Sequence, residues 1–256
     1  MPRQILTHLL HARRQAPGFL WLVDPEKIDA GHPDPRWTLA ENLGVTAFLV
    51  GTSQDGNGDL EPAVAALRQS TELPLILFPG SAAQVSPHVD AVLFLTLLSG
   101  RNPEYLVGEQ VKGTPKIRDY GIEPIPTGYI LVDTGSAAQT SVAIRSHTDP
   151  IPERETDQIC DHALCGEYMG HALIYIEAGS GAKRPIAGDT IRQVKSVINV
   201  PLIVGGGMKT AAQCALAVKA GADFVVVGTA LEQNDSIDLL RDMVDSVHAT
   251  GKAVNV

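Results

Sequence analysis

The chain is poor in cysteine, in aromatic residues and in basic charge, and it contains no long apolar run. Three cysteines among 256 residues (Cys160, Cys165, Cys214) allow at most one intramolecular bridge, which excludes a disulfide scaffold. None has CxxC spacing or a histidine at metal-ligand spacing, so buried thiols in a reducing compartment are expected. Lys and Arg number 20 against 29 Asp and Glu, a net charge of −9. That balance excludes the clustered basic surface needed to hold a nucleic-acid backbone. No apolar stretch approaches the roughly 18 residues of a membrane span. The N-terminal MPRQILTHLLHARRQAPG lacks an apolar core ahead of a small-residue cleavage site. These absences predict a cytoplasmic protein. Hydrophobic residues at 44% and charged residues at 19% describe an ordinary globular chain, neither collagen-like nor disordered.

What is present is a repeated alternation. Short, nearly continuous apolar runs occur at Phe19–Asp24, Ala47–Val50, Leu75–Phe78, Ala91–Leu95, Gly128–Val132, Leu173–Ile176, Leu202–Val204 and Phe224–Val227. Strands buried on both faces read this way, which points to a parallel sheet covered by helices. Helical patterns lie between them at Pro35–Leu43, Glu61–Thr71, Pro103–Val111, Thr156–Met169, Asp189–Ile198, Thr210–Ala220 and Ser236–Ala249. Asp189 and Thr210 are expected N-caps and Gly221 an expected helix-ending glycine. Pro79–Asp90 is too short for more than a weak helix. Eight strands with helical connections predict a (β/α)8 TIM barrel of the α/β class, with residues 1–256 as one domain. A doubly wound sheet would place a glycine-rich dinucleotide loop after the first strand, where this chain has Asp-Pro-Glu-Lys. Asp133–Glu155 exceeds the simple repeat and is either a surface loop or part of the catalytic rim.

In such a barrel the active site forms at the C-terminal strand ends. The seventh run leads into Gly205-Gly206-Gly207 and the eighth into Gly228-Thr229-Ala230. Glycine-rich loops followed by helix N-termini at these two strands are the recurrent phosphate site of the architecture, although glycines also serve plain turns. Asp24 ends the first run and stands across the barrel, near the Ser53 hydroxyl. It either helps hold a hard cation such as Mg2+ through oxygen ligands or initiates the Asp-Pro turn. Tyr175 and Glu177 are two residues apart and share one face of the sixth strand. If that face is the inner one, a tyrosine and a carboxylate meet the ligand; otherwise Glu177 is a structural partner of a Lys or Arg. Arg101-Asn102-Pro103 and His147 are further rim candidates, each with an ordinary loop role as the alternative.

The segments LVDPEK, VGTS, SGRNPEYLVGEQV, PTGYILVD, TSV, PIPE, YIEAGSGA, PLIVGGGMKT and ADFVVVGTA occur in this order from Phe19 to Ala230. In this the chain resembles the geranylgeranylglyceryl phosphate synthase family, and its second group in particular. The resemblance implies a Mg2+-dependent prenyltransferase on a TIM barrel. It would join sn-glycerol 1-phosphate, through its C3 hydroxyl, to a long prenyl diphosphate, geranylgeranyl diphosphate by preference, and release diphosphate. It further implies Asp24 and Ser53 as metal ligands and Tyr175 and Glu177 at the glycerol, with Glu177 accepting the proton. Gly179, Gly205, Gly207, Gly228 and Thr229 would surround the phosphate. A homo-oligomer with only transient membrane contact is expected. Three positions depart from the family pattern: Thr229 stands where Asn is common, DPEK replaces DPDK with Glu26 expected to face solvent, and Glu109-Gln110 replaces a Gln-His pair. Two alternatives remain, a sugar-phosphate isomerase or epimerase sharing the same phosphate loops and a catalytically silent barrel that binds a phosphorylated metabolite.

Overall fold

A computed structural model describes residues 4–29, 31–52, 61–135 and 140–252. Helix α1 (Gln4–Gln15) precedes β1 (Gly18–Val23), which leads through helical turns at Pro25–Lys27 and Pro35–Leu39 to α2 (Ala40–Leu43) and β2 (Ala47–Val50). Next come α3 (Glu61–Ser70), β3 (Leu75–Leu77), a turn at Ala82–Gln84, β4 (Ala91–Leu97), α4 (Glu109–Tyr120) and β5 (Glu123–Asp133). The long connection then carries α5 (Ser141–Ser146) and β6 (Ile151–Pro152) before α6 (Thr156–Tyr168). β7 (Leu173–Glu177), α7 (Gly188–Val197), β8 (Leu202–Gly205), α8 (Ala211–Lys219), β9 (Phe224–Val227), α9 (Thr229–Glu232) and α10 (Ile237–Lys252) complete the chain.

Eight of these strands pair in parallel in the order β4-β3-β2-β1-β9-β8-β7-β5, and β4–β5 pairing closes the circle. The predicted (β/α)8 barrel is therefore present. β6 lies outside it, extending the end of β5 through Val132↔Ile151 and Asp133↔Pro152. Alternate strand residues separate two cores. Leu20, Leu49, Ile76, Leu93, Ile125 and Ile203 fill the barrel interior. Phe19, Trp21, Phe48, Val50, Ile174 and Val204 pack outward under the helices. Burying each such side chain contributes about 1.5–3 kcal/mol.

Helix α1 went unforeseen. Its Leu6 and Leu9 join the interior cluster, and its first N–H groups, of Ile5 and Leu6, donate to the Glu123 carboxylate at 2.7 and 3.0 Å. That carboxylate, placed at the start of β5, satisfies helix N–H groups that otherwise have no partner. Other departures are local. The helix after β4 opens with a wide turn at Glu104–Gly108 and runs on to Tyr120, nine residues past the expected end. Thr210 caps α8 in a reciprocal capping box with Gln213, and Gly221 takes the left-handed conformation, φ 111°. Asp189 is not an N-cap: α7 starts one residue earlier, with Ala187 in the cap position, and Asp189 pairs with Arg192. Among the described residues, no helix is long and apolar enough to cross a membrane.

Candidate active site

The β5–β7 register sets Tyr129 against Tyr175 and Leu131 against Glu177. Leu173, Tyr175 and Glu177 thus share the inner face, and Glu177 ends up at the barrel mouth with only 4% of its surface exposed. The Tyr129 hydroxyl donates to Glu177 Oε2 at 2.5 Å. Burial raises the Glu177 carboxyl to about 7, while the hydroxyls of Tyr129 and Tyr175 pull it back. The structural alternative, a Glu paired with Lys or Arg, does not hold: no cation pairs with Glu177 in the described structure. Tyr129, Tyr175 and Phe78 form an aromatic floor with ring centroids 5.4 to 5.7 Å apart. The Tyr175 hydroxyl is buried there beside the Glu177 carboxylate, close enough to favour its charged form though without a well-formed hydrogen bond. Gly205 makes room for it, since a Cβ at that position would lie 2.4 Å from the hydroxyl oxygen.

Glycine-rich loops follow β7 and β8 beside this carboxylate, with Glu177 in register with Gly205. Gly206 and Gly207 have φ of 82° and 71°, and a Cβ on Gly206 would stand 2.8 Å from the backbone nitrogens of Ala178 and Gly179. Gly179, with φ 92°, is pressed against Thr140. Only glycine allows such approach in this backbone conformation. Gly228 leads into α9, so Thr229 opens a helical turn at the cleft wall. The loops after β7 and β8 touch, while the nearest neighbour of a Cβ on Gly228 would be Leu22 of β1.

Asp24 initiates the Asp-Pro turn, one of its two readings. Its Oδ1 accepts from Glu26 N at 3.1 Å, capping the turn at Pro25–Lys27, and the residue also lines the cleft. Its Oδ2 lies 3.3 Å from Lys27 Nζ, which in turn reaches Glu232 at 2.7 Å. Ser53 falls outside the described residues; its neighbour Thr52 is buried on the cleft wall and donates to Glu26 Oε2 at 3.3 Å. Glu26 is exposed, as expected, but it also fixes that threonine. Among the described residues no three His, Cys, Asp or Glu gather as a metal cage. Asp24 is a carboxylate of the kind used by a hard cation that takes one or two protein ligands, and Lys27 Nζ stands beside it in this structure.

The cleft extends beyond the barrel mouth. It passes Phe78, Gly80 and Tyr105 and enters an apolar arm between Val92 and Phe94 of β4, Gly113 and Ile117 of α4, and Val85. The whole encloses about 1240 Å³ of empty space, open mouth included. Glu109 accepts from Ala82 N at 2.5 Å, and Gln110 Nε2 donates to the carbonyls of Leu95 and Tyr105. The pair that departed from the family pattern therefore braces this arm. Arg101 and His147 lie elsewhere: Arg101 donates to the Leu98 and Gly100 carbonyls and touches His162, beside a separate cleft that His147 also lines. The sequence reading missed Tyr129, Phe78, Gly113 and Arg145. For Tyr129 a signal existed in PTGYILVD, but its facing partner depends on a register between distant strands.

Residues 10–251 match the PcrB family. The chain belongs to that family. PcrB-family relatives include geranylgeranylglyceryl phosphate synthase of Thermococcus kodakarensis, 40% identical over 228 residues and 89% of each chain. The enzyme of that name from Flavobacterium johnsoniae is 41% identical over 241 residues, covering 92% of this chain and 98% of its own. Among solved structures, (S)-3-O-geranylgeranylglyceryl phosphate synthase of Thermoplasma acidophilum, in complex with its substrate sn-glycerol-1-phosphate, superposes with a TM-score of 0.87. It is 31% identical and covers 97% of this chain and all of the other. The family resemblance read from the motifs is borne out.

Proposed function

We propose that this PcrB-family chain is a prenyltransferase that alkylates sn-glycerol 1-phosphate with a long prenyl diphosphate, geranylgeranyl diphosphate by preference. The observation that carries the reading is Glu177: a buried carboxyl near neutrality, flanked by the hydroxyls of Tyr129 and Tyr175, at a mouth from which an apolar arm leads. A group titrating near 7 exists in part as carboxylate and in part as acid at neutral pH, which suits proton transfer.

In the mechanism we infer, the phosphate of the acceptor rests among Gly179, Gly205, Gly207, Gly228 and Thr229, against the N-terminal turn of α9. Tyr175 supplies its hydroxyl to the glycerol. The far hydroxyl then faces Glu177, whose orientation Tyr129 holds. As that oxygen bonds to the allylic carbon, the carbon–diphosphate bond breaks, the electron pair leaves with diphosphate, and Glu177 takes the hydroxyl proton. Anchoring the acceptor by its phosphate makes the encounter effectively unimolecular. Asp24, with Ser53 or its neighbour Thr52, would hold the divalent cation, Mg2+ in this reading, which supplies positive charge to the departing diphosphate. The apolar arm shelters the prenyl tail and excludes water from the allylic carbon.

The test is Glu177→Gln, assayed by the mass of the prenyl ether and by calorimetry with sn-glycerol 1-phosphate. Turnover should fall at least about 100-fold while the acceptor still binds; an unimpaired rate would remove Glu177 as the base.

A further inference from the structure

The long connection after β5 holds α5, and α5 brings a cation to the cleft. Val142, Arg145 and Ser146 of this helix line the mouth. Thr140 caps the helix, and His147 ends it in the left-handed conformation, φ 51°. Its backbone is held from outside as well. Tyr105 Oη donates to the Arg145 carbonyl at 3.4 Å, Asn102 Nδ2 to the Ser146 carbonyl at 3.3 Å, and Ser146 Oγ to Thr148 Oγ1 at 2.8 Å. The arginine is therefore presented from a braced element.

Its place in the mouth is specific. Arg145 Nη1 lies 3.4 Å from the point a Gly80 Cβ would occupy, and that same point lies 2.5 Å from the Thr52 carbonyl oxygen. Guanidinium and the end of β2 thus face one another across a position that must lack a side chain. Charge makes the same case. The described residues lining the cleft include the acids Asp24, Glu109, Glu177 and Glu232 and the cations Lys27 and Arg145. A diphosphate entering this acidic mouth needs a second source of positive charge, and a planar guanidinium matches phosphate oxygens two at a time. Partial burial also draws the Arg145 ionisation downward, the mark of a cation held partly away from water.

We propose that Arg145 binds the diphosphate of the prenyl substrate, clamping the leaving group against the Asp24–Thr52 side of the mouth while the glycine cradle holds the acceptor on the opposite side. This rests on the prenyltransferase reading and adds to it a residue that touches the leaving group. When the carbon–oxygen bond breaks, the electron pair and negative charge collect on diphosphate oxygens that Arg145 already contacts. No proton moves to or from the guanidinium.

The experiment uses the full chain and inorganic pyrophosphate with Mg2+ as the probe, by calorimetry, for wild type, Arg145→Lys and Arg145→Gln. Losing a charge-assisted pair should weaken pyrophosphate binding and raise KM for the prenyl diphosphate about 10-fold or more in Arg145→Gln. Arg145→Lys should recover part of that, and KM for sn-glycerol 1-phosphate should stay within about twofold in both. A merely structural arginine would shift the melting temperature and both KM values together, which would overturn the proposal. So would pyrophosphate affinity in Arg145→Gln equal to wild type, or no pyrophosphate binding by wild type. If wild type forms no prenyl ether at all, the parent reading fails; if it forms the ether and Arg145→Gln matches it, only the role of Arg145 fails.

Discussion

Burying a carboxylate without a cation costs stability, and the cost depends on pH. Glu177 is raised from 4.5 to about 7 in the folded chain, so the folded state binds the extra proton between those values. Its burden is absent at pH 4, grows as pH rises toward 7 and is constant above. Glu177→Gln should therefore stabilise the protein by on the order of 3 kcal/mol at pH 8 and by almost nothing at pH 4, read by thermal unfolding at both. The same ionisation should appear in catalysis as an acid limb in kcat/KM near pH 7, since the base must be ionised; a limb near pH 4.5 would contradict the assignment. Tyr175 gives a complementary case. Its buried hydroxyl makes no well-formed hydrogen bond, so Tyr175→Phe should leave stability within about 1 kcal/mol of wild type. The same change should raise KM for glycerol phosphate about 10-fold. Loss of stability with unchanged KM would show that the hydroxyl serves the fold.

At the scale of elements, the strand ends do the positioning and the helices shape the arm. Gly113 of α4 faces the cleft, and a Cβ there would sit 3.7 Å from Ala82, Val85 and Ile117, in ordinary contact and without a clash. A larger side chain would occupy the apolar arm itself. Gly113→Leu should shift the products toward shorter prenyl chains while KM for glycerol phosphate holds, measured by competition among prenyl diphosphates; an unchanged product profile would place the tail elsewhere. Much at this scale was legible in the sequence. The runs at Ala47–Val50 and Phe224–Val227 match β2 and β9 residue for residue, because buried parallel strands are continuous in apolar residues. Glu177 and Tyr175 were legible through the two-residue period. Arg145 was not, because a six-residue helix inside a Ser- and Thr-rich loop has too little apolar periodicity to register.

At the scale of the whole molecule, what escaped the sequence is what depends on distant partners. Helix α1 is anchored by Glu123, more than a hundred residues away, and nothing local announces that contact. The Tyr129–Glu177 bond likewise needs the β5–β7 register. The glycine-rich loops were legible in the sequence, while the approach of Gly206 to Ala178 and Gly179 required the closed barrel. Closure brings Asp24 and Glu177 into one mouth, with an apolar arm leading away. The account predicts one reaction from that layout. The decisive measurement incubates the pure protein with Mg2+, sn-glycerol 1-phosphate and a ladder of prenyl diphosphates and weighs the products. A prenyl ether of glycerol phosphate with stoichiometric diphosphate release is the expected result, and its preferred rung gives the length of the arm. Bound glycerol phosphate with no ether from any rung would contradict the account and leave a barrel that binds its ligand in silence.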